Sequence, residues 1–327
     1  MQEERLEDYA LNKSAKKQSG GIKAGLVGCG SMGQEIAILI SKSGIDITFV
    51  EVSEKRVANA IMKMEEQIED AIAHWGMTSS DKRAIMSRIK GTTDYSELAD
   101  CNIVIEAIKT AKWVPNQPTR REVFRKIEEV VSKDCVIVSN ASTIVIADLA
   151  TELKYPCRSI GMHFISPVLT TKIIEVNRCI NTSESTLHFI QRFVRMIGKE
   201  IIKIYGSPGN ISTRLIAPMI NEACELLMEG VSTVEDIDKT MKVGYGMLRG
   251  PFTMADRIGL DKLTKWMEGL YNEYGDPRYK TSPLIRRMVR AGMLGRKSGE
   301  GFYIYENGKK LPKSGSVFNL GHEQKLF

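Results

Sequence analysis

Histidine, aromatic side chains and paired cysteines are all scarce in this chain, and each scarcity excludes a class of function. Only four histidines occur among 327 residues, His74, His163, His188 and His322. The six cysteines, Cys29, Cys101, Cys135, Cys157, Cys179 and Cys224, form no C-x-x-C pair. A zinc site needs clustered Cys and His ligands, and a disulfide framework needs a dense, even set of cysteines in a small secreted chain. Neither pattern is present, so no metal is expected and the cysteines read as small packed hydrophobes. Phe, Trp and Tyr make up 7% of the residues, too few to build stacking platforms for nucleic acid. Charge of one sign is not concentrated either: 46 Lys and Arg face 40 Asp and Glu, interleaved and never in a block. That is a solvated surface and argues against a nucleic-acid partner. Long apolar runs are missing as well, and no stretch approaches the ~18 apolar residues of a membrane span. The leading segment MQEERLEDYALNKSAKKQSGG is charged and lacks the apolar core of a secretory signal. The expectation is a soluble, cytoplasmic protein with no membrane partner.

What the chain does have is apolar substance, 43% of its residues, enough for two domains of roughly 150 residues each. From Ile22 to about Ile204, short apolar runs alternate with helical patterns: IKAGLVG, MGQEIAILISKSG, IDITFVE, a long helical stretch, NIVIEAI, a helix, CVIVSN, RSIGMHF and TKIIEVN. Such alternation predicts βαβ units and a mostly parallel sheet covered on both faces. Thr119 with Glu122 reads as a capping box before VFRKIEEVV, and Gly44, Gly91 and Gly198 sit where helix C-terminal glycines belong. After Ser207-Pro208-Gly209 the strand patterns stop. Helices are expected from Thr213 to Gly230, after a Ser232/Glu235 capping box, from Asp261 to about Tyr271, and from Ser282-Pro283. The division is therefore a polar N-terminal extension (1–21), an α/β domain (22–206), an all-helical domain (207–305) and a polar, irregular tail (306–327).

The first domain carries Gly28-Cys29-Gly30-Ser31-Met32-Gly33, a G-x-G-x-x-G placed after the first strand and opening a helix. An acidic residue, Glu51, ends the second strand 18 residues past Gly33. In this context Gly28 permits the tight turn, Gly30 lets backbone approach a pyrophosphate, and Gly33 allows close packing of helix on strand. The helix N-terminus then offers N–H donors and positive potential to phosphates. Glu51 can accept both ribose hydroxyls of NAD and would repel the extra phosphate of NADP, although Lys55 and Arg56 lie nearby. The expected fold is thus a Rossmann-type, mostly parallel sheet domain followed by an all-helical domain, with NAD as cofactor.

In such a sheet, ligands collect at the carboxyl ends of strands, where GMHFISPV places His163. Glu175 follows on the next predicted strand in apolar surroundings, where an unpaired carboxylate would be costly. An imidazole held by a carboxylate has a fixed tautomer and a stabilised cation, which suits acid/base work near neutral pH. Ser142, in SNASTI, reaches the same edge.

Taken in order, GLVGCGSMG, IVIEAI, VSNAST, IGMHFISPV, KIIEV, GSPG with RLIAPMINEA, EDIDKTMKVGYG, the GP of LRGPF, DRIGLD and GRKSGEGFY resemble the L-3-hydroxyacyl-CoA dehydrogenases, including the bacterial 3-hydroxybutyryl-CoA dehydrogenases, from about Ile22 to Tyr305. The resemblance implies that His163 takes the hydroxyl proton as hydride leaves for NAD, that Glu175 orients and charges His163, and that Ser142 bonds the substrate oxygen. It adds Ser31, Met32, Glu106, Ala107 and Asn140 to the cofactor surface. It also implies a homodimer through the helical domain and an active site in the cleft between domains.

The chain departs from the family pattern chiefly on the substrate side. Ser166 stands where the family has Asn in HFFNPV, and Thr213 stands at the substrate-side Asn of PGFxxNR, with Asn210 where an aromatic is usual. Thr110 and Ala111 replace an acidic residue and Asn, Gln67 and His74 stand where serine and lysine are expected, and GHPMGP becomes a stretch containing Arg249. The expectation is a dehydrogenase for short-chain 3-hydroxyacyl-CoA with altered substrate preference. Two other readings stay open: a relative acting on a 3-hydroxy acid without CoA, as the L-gulonate 3-dehydrogenases do, and a dinucleotide-binding protein with little turnover, like the lens crystallins of this superfamily.

Overall fold

Short apolar runs, buried on both faces in the central strands, form one sheet, and the 3.6-residue patterns between them form the helices that cover it. The computed structural model describes residues 21–73, 76–109, 116–306 and 309–313. The expectations for the N-terminal extension, for His74, Thr110 and Ala111, and for the tail beyond Lys313 fall outside the described residues. The chain divides between Ser207 and Pro208 into two compact units.

The first unit runs β1 (Lys23–Val27), α1 (Ser31–Lys42), β2 (Asp46–Val50), α2 (Glu54–Ala73), α3 (Ser79–Met86), β3 (Ile89–Thr92), β4 (Ile103–Glu106), α4 (Asn116–Val130), β5 (Val136–Ser139), α5 (Ile146–Ala150), β6 (Ser159–Phe164), β7 (Ile173–Arg178), α6 (Glu184–Met196) and β8 (Glu200–Tyr205). The strands make one sheet in the order β3-β2-β1-β4-β5-β6-β7-β8. Neighbours are parallel except β6 and β7, which pair antiparallel. The period-2 alternation shows in the two cores: Ile103, Ile105, Val136 and Val138 join one cluster, while Val104 and Ile137 join the other with Phe124. Strand order reverses at β1, which opens a crevice at the carboxyl ends of β1 and β4, the general ligand position of such sheets.

The second unit contains α7 (Ile211–Met228), α8 (Val234–Lys239), α9 (Pro251–Ile258), α10 (Leu260–Tyr274) and α11 (Pro283–Arg290) around Ile220, Phe252, Leu263, Met267, Ile285 and Phe302. It is not purely helical. Strands β9 (Ile304–Glu306) and β10 (Lys309–Leu311) pair antiparallel, so the tail expected to be irregular begins with paired strands.

Local signals were off by a register in several places. Helix α4 begins at Asn116, so Thr119 lies inside it, and Glu122 pairs instead with Lys126 at 2.8 Å. Helix α8 is capped by Thr233, whose hydroxyl accepts from the Asp236 N–H at 3.1 Å, rather than by Ser232 and Glu235. Gly44 and Gly198 have the expected positive φ, but Gly91 lies within β3, where a Cβ would meet Phe49 and Val57 at 2.5 Å. Packing across the sheet, and not a helix end, requires that glycine.

Two buried carboxylates organise the second unit. Asp238 accepts from the N–H groups of Phe252 and Thr253 at 2.7 and 2.9 Å and from the Tyr303 hydroxyl at 3.0 Å, holding the first turn of α9. Asp256 accepts from the N–H groups of Phe302 and Tyr303 at 2.9 and 3.0 Å and from the Tyr305 hydroxyl at 3.0 Å. The GP, DRIGLD and GRKSGEGFY motifs thus act here as a polar staple. Gly250 and Gly301 are required because a Cβ at either would strike Asp238 or Asp256.

Burial pushes the Asp256 carboxyl up to about 6, against the pull of its three donors and with the help of Asp238. A carboxyl raised above its unfolded value holds its proton longer in the native state, so stability falls as pH rises from roughly 4 to 6 and is level above. Asp256→Asn should cost about 1–3 kcal/mol at pH 7 through mismatched donors. Its deficit relative to wild type should widen on acidification toward pH 4.5. Urea midpoints of both proteins at the two pH values test this, and a constant deficit refutes it.

Candidate functional site

The glycine loop separates three jobs. Gly28 has φ +92°, and a Cβ there would lie 2.7 Å from Ile108 Cα. A Cβ at Gly33 would lie 2.3 Å from the Gly28 carbonyl oxygen. Those two glycines are demanded by the protein itself. Gly30 is different: it has an ordinary φ of −71° at the N-cap of α1, and a Cβ there would meet nothing within 4 Å. No side chain caps α1. Space at Gly30 and the uncapped N–H groups of the first turn, with Ser31 exposed and Met32 half-buried, form a cradle that suits an anionic phosphate.

Glu51 immediately follows β2 and is buried. Its Oε1 accepts the Cys29 N–H at 2.8 Å and its Oε2 the Val52 N–H at 3.2 Å, with Arg56 at 3.8 Å. The carboxylate therefore fixes the base of the glycine loop. The Cys29 thiol, buried and beside Glu51, is pushed up to about 12 and stays protonated. Gln67 donates to Gln34 on α1 at 2.9 Å.

At the end of β4, Glu106 is fully buried and saturated within the protein. It accepts from the Ile108 N–H at 2.8 Å, from the Ser139 hydroxyl at 2.7 Å and from Arg120. Arg120 also donates to the Ile108 carbonyl at 2.9 Å. The Glu106 side chain thus shapes the loop around Ala107 and Ile108, which packs on Gly28. Ala107 and Asn140 continue the parallel ladder past the strand ends, with the Ala107 N–H to Val27 O at 2.9 Å and the Asn140 N–H to Glu106 O at 2.8 Å. Asn140 also accepts the Phe164 N–H at 3.0 Å.

The antiparallel pairing of β6 with β7 sets the next feature. Its register places His163 directly opposite Glu175, and the two side chains meet at 2.7 Å between Nδ1 and a carboxylate oxygen. Both are buried, at 5% and 3% exposure. Ser142 is half-buried in the turn that follows β5. The loop after β6 carries Ser166, whose hydroxyl donates to Glu35 of α1 at 3.2 Å. Lys199 binds the same loop through three backbone carbonyls. Burial, then the Lys42 ammonium, holds the Lys199 amine below its usual range.

Thr213, in the second unit, is fully buried, and its hydroxyl accepts the Asn210 N–H at 3.0 Å and donates to the Asn210 carbonyl at 2.9 Å. It closes the first turn of α7. Arg249 is half-buried ahead of Gly250. Sequence reasoning did not reach Glu35, Arg120, Ser139, Lys199, Asp238 or Asp256 as site or scaffold residues. The available signal was a charged residue inside an otherwise apolar pattern, as in GKEIIKI. Among the described residues, no group of three or more His, Cys, Asp and Glu side chains converges as for a metal ion, and no helix is long and apolar enough to cross a membrane.

Two family models match the chain: 3-hydroxyacyl-CoA dehydrogenase, NAD binding domain, over residues 23–207, and 3-hydroxyacyl-CoA dehydrogenase, C-terminal domain, over residues 209–305. The chain is 38% identical over 291 residues to a probable 3-hydroxybutyryl-CoA dehydrogenase of Deinococcus radiodurans, covering 87% of this chain and 100% of that one. It is 34% identical over 290 residues to the 3-hydroxybutyryl-CoA dehydrogenase of Bradyrhizobium diazoefficiens, covering 89% and 97%. Among solved structures it resembles the (S)-3-hydroxybutyryl-CoA dehydrogenase of Ralstonia eutropha with a TM-score of 0.78 and 36% identity, over 87% of this chain and 99% of that one.

Gly33 and Gly30 should separate in experiment. Gly33→Ala must move backbone and should lose about 1–3 kcal/mol of stability. Gly30→Ala should melt with the wild type yet bind dinucleotide more weakly, because its methyl enters the open cradle. Thermal melts with NADH fluorescence titrations decide this, and undiminished binding by Gly30→Ala would place the phosphates elsewhere.

Proposed function

Because the chain belongs to the 3-hydroxyacyl-CoA dehydrogenase family, whose members are NAD-dependent oxidoreductases, we propose that His163 is the acid/base that interconverts L-3-hydroxyacyl-CoA and 3-ketoacyl-CoA. The observation that carries this reading is the buried 2.7 Å contact between His163 Nδ1 and Glu175. A bound nicotinamide would supply the hydride acceptor for oxidation at carbon 3 and the hydride donor for the reverse reduction. His163 Nδ1–H donates to Glu175, and Nε2 takes the 3-hydroxyl proton. As the imidazole gains that proton, the Glu175 carboxylate stabilises the cation inside a dry interior. The 3-hydroxyl thus gives its proton to His163 as carbon 3 gives up its hydride, and the C–O bond becomes the ketone carbonyl. Ser142 donates to the substrate oxygen as charge develops there.

The uncapped α1 N-terminus, the space at Gly30 and the Glu51 carboxylate fit NAD: the first two receive its phosphates and the last its adenosine ribose. Ser31, Met32, Ala107 and Asn140 line the same strand ends, while Glu106 supports them from within. On the substrate side, the Ser166 proton is committed to Glu35 and the Thr213 hydroxyl to its own helix. Those departures support an altered substrate preference within short acyl chains, the class of the 3-hydroxybutyryl-CoA relatives. A cytoplasmic setting is supported by six unpaired cysteines, five of them buried, since thiols persist in a reducing compartment.

A homodimer is part of the same reading. The second unit exposes Ile211, Leu215, Val231, Val243, Tyr245 and Leu248, at 45–79%, apolar side chains that a second copy of the chain could cover. Light scattering should give twice the chain mass, and a monomer at micromolar concentration would contradict the assembly.

Purified protein should oxidise NADH with acetoacetyl-CoA and not with free acetoacetate. His163→Gln should lower kcat by roughly 10²–10⁴-fold while NADH binding persists. Full turnover by His163→Gln refutes its role, and turnover of acetoacetate alone would assign a substrate without CoA.

A further inference from the structure

Residues 165–172 join β6, which carries His163, to β7, which carries Glu175. Two charged side chains hold this connection. Glu35, half-buried on α1, accepts from the Ser166 hydroxyl at 3.2 Å and from the Val168 N–H. Lys199, 7% exposed in the turn before β8, donates to the carbonyls of Val168 at 2.8 Å, Leu169 at 3.3 Å and Thr171 at 2.6 Å. Hydrogen bonds to an ionised group are about twice as strong as neutral ones. Five of them converge on this one short loop.

The origin of Glu35 matters more than the count. It lies one turn after Ser31 on α1, the helix whose uncapped N-terminus and Gly30 space form the phosphate cradle. A helix is a rigid element, so the cradle and the Glu35 carboxylate keep a fixed separation. Through Ser166 and Val168 that separation passes to the loop leaving His163, while Asn140 grips the Phe164 N–H next to the histidine itself. Ser166, too short to reach far, finds its acceptor in a side chain delivered by the cofactor helix.

We propose that Glu35 is a positioning residue, with Lys199 as its second anchor: it ties the loop beyond His163 to the cofactor helix and so fixes the imidazole relative to the bound dinucleotide. The proposal rests on the acid/base reading of His163. It assigns Glu35 no contact with substrate or cofactor. Displacing a reacting group by about 1 Å can cost 10²-fold in rate without changing what is bound, and that is the loss expected when the tie is cut.

Glu35→Gln keeps the size and one acceptor oxygen, whereas Glu35→Ala removes both. Turnover with acetoacetyl-CoA should fall roughly tenfold in the first and up to roughly 100-fold in the second. The NADH dissociation constant and melting temperature should stay near wild type. Amide hydrogen exchange across 168–171 should rise in the same order, and Ser166→Ala added to Glu35→Ala should cost little more. Raised exchange with undiminished kcat would make the contact merely structural and overturn the proposal. Unchanged exchange would remove the clamp itself. If the wild type failed to turn over any thioester, the parent reading would fail instead, and loop exchange would still decide whether Glu35 holds the loop.

Discussion

One antiparallel pairing in an otherwise parallel sheet is the constraint from which the chemistry follows. Parallel neighbours carry their carboxyl ends to one edge, where helices and loops meet ligands. Reversing β7 against β6 brings a second side chain to that edge from the opposite chain direction, and the register sets Glu175 across from His163. In antiparallel pairs, directly opposed side chains are within reach of each other. A carboxylate and an imidazole, each too polar to be buried alone, become a stable buried unit. A one-residue slip of β7 would turn Glu175 to the other face of the sheet and leave each of the two groups without its partner.

The same economy recurs wherever a carboxylate is buried. Glu51 gathers the N–H groups of Cys29 and Val52, Glu106 gathers Ile108, Ser139 and Arg120, Asp238 holds the start of α9, and Asp256 holds the segment that leads to β9. Each gathers donors that loops leave unsatisfied, and each thereby fixes a loop beside a site or inside a core. The cost of dehydrating these groups is offset by converting irregular backbone into defined geometry. Glu106 shows how a motif acidic residue can serve a ligand site without facing the ligand: it is fully buried and it shapes the loop that packs on Gly28.

Much of this was legible in the sequence because it is written in periodicities and local geometry. Alternating apolar runs gave the strands, Gly28, Gly30 and Gly33 marked the first turn, and His163 and Glu175 stood out as polar residues in apolar strands. The errors were also local. The Thr119/Glu122 and Ser232/Glu235 patterns satisfy the capping rule as sequence, yet the helices begin at Asn116 and Val234. Gly91 looks like a helix end, yet it is required by Phe49 and Val57 across the sheet. A cap motif needs only four residues, and tertiary packing chooses among overlapping ones.

The sequence by itself determined the layered α/β class, the glycine loop with its acidic partner, and the residue types of an acid/base pair, since these depend on neighbours within a few positions. Only the tertiary structure decided which polar groups find each other. Glu35 with Ser166, Lys199 with the carbonyls of 168–171, Arg120 with Glu106, and Asp256 with Tyr303 lie far apart or out of phase along the chain. Hydrogen bonds are specific in space and carry no period in sequence, so a partner can be named only once the fold has brought its backbone alongside.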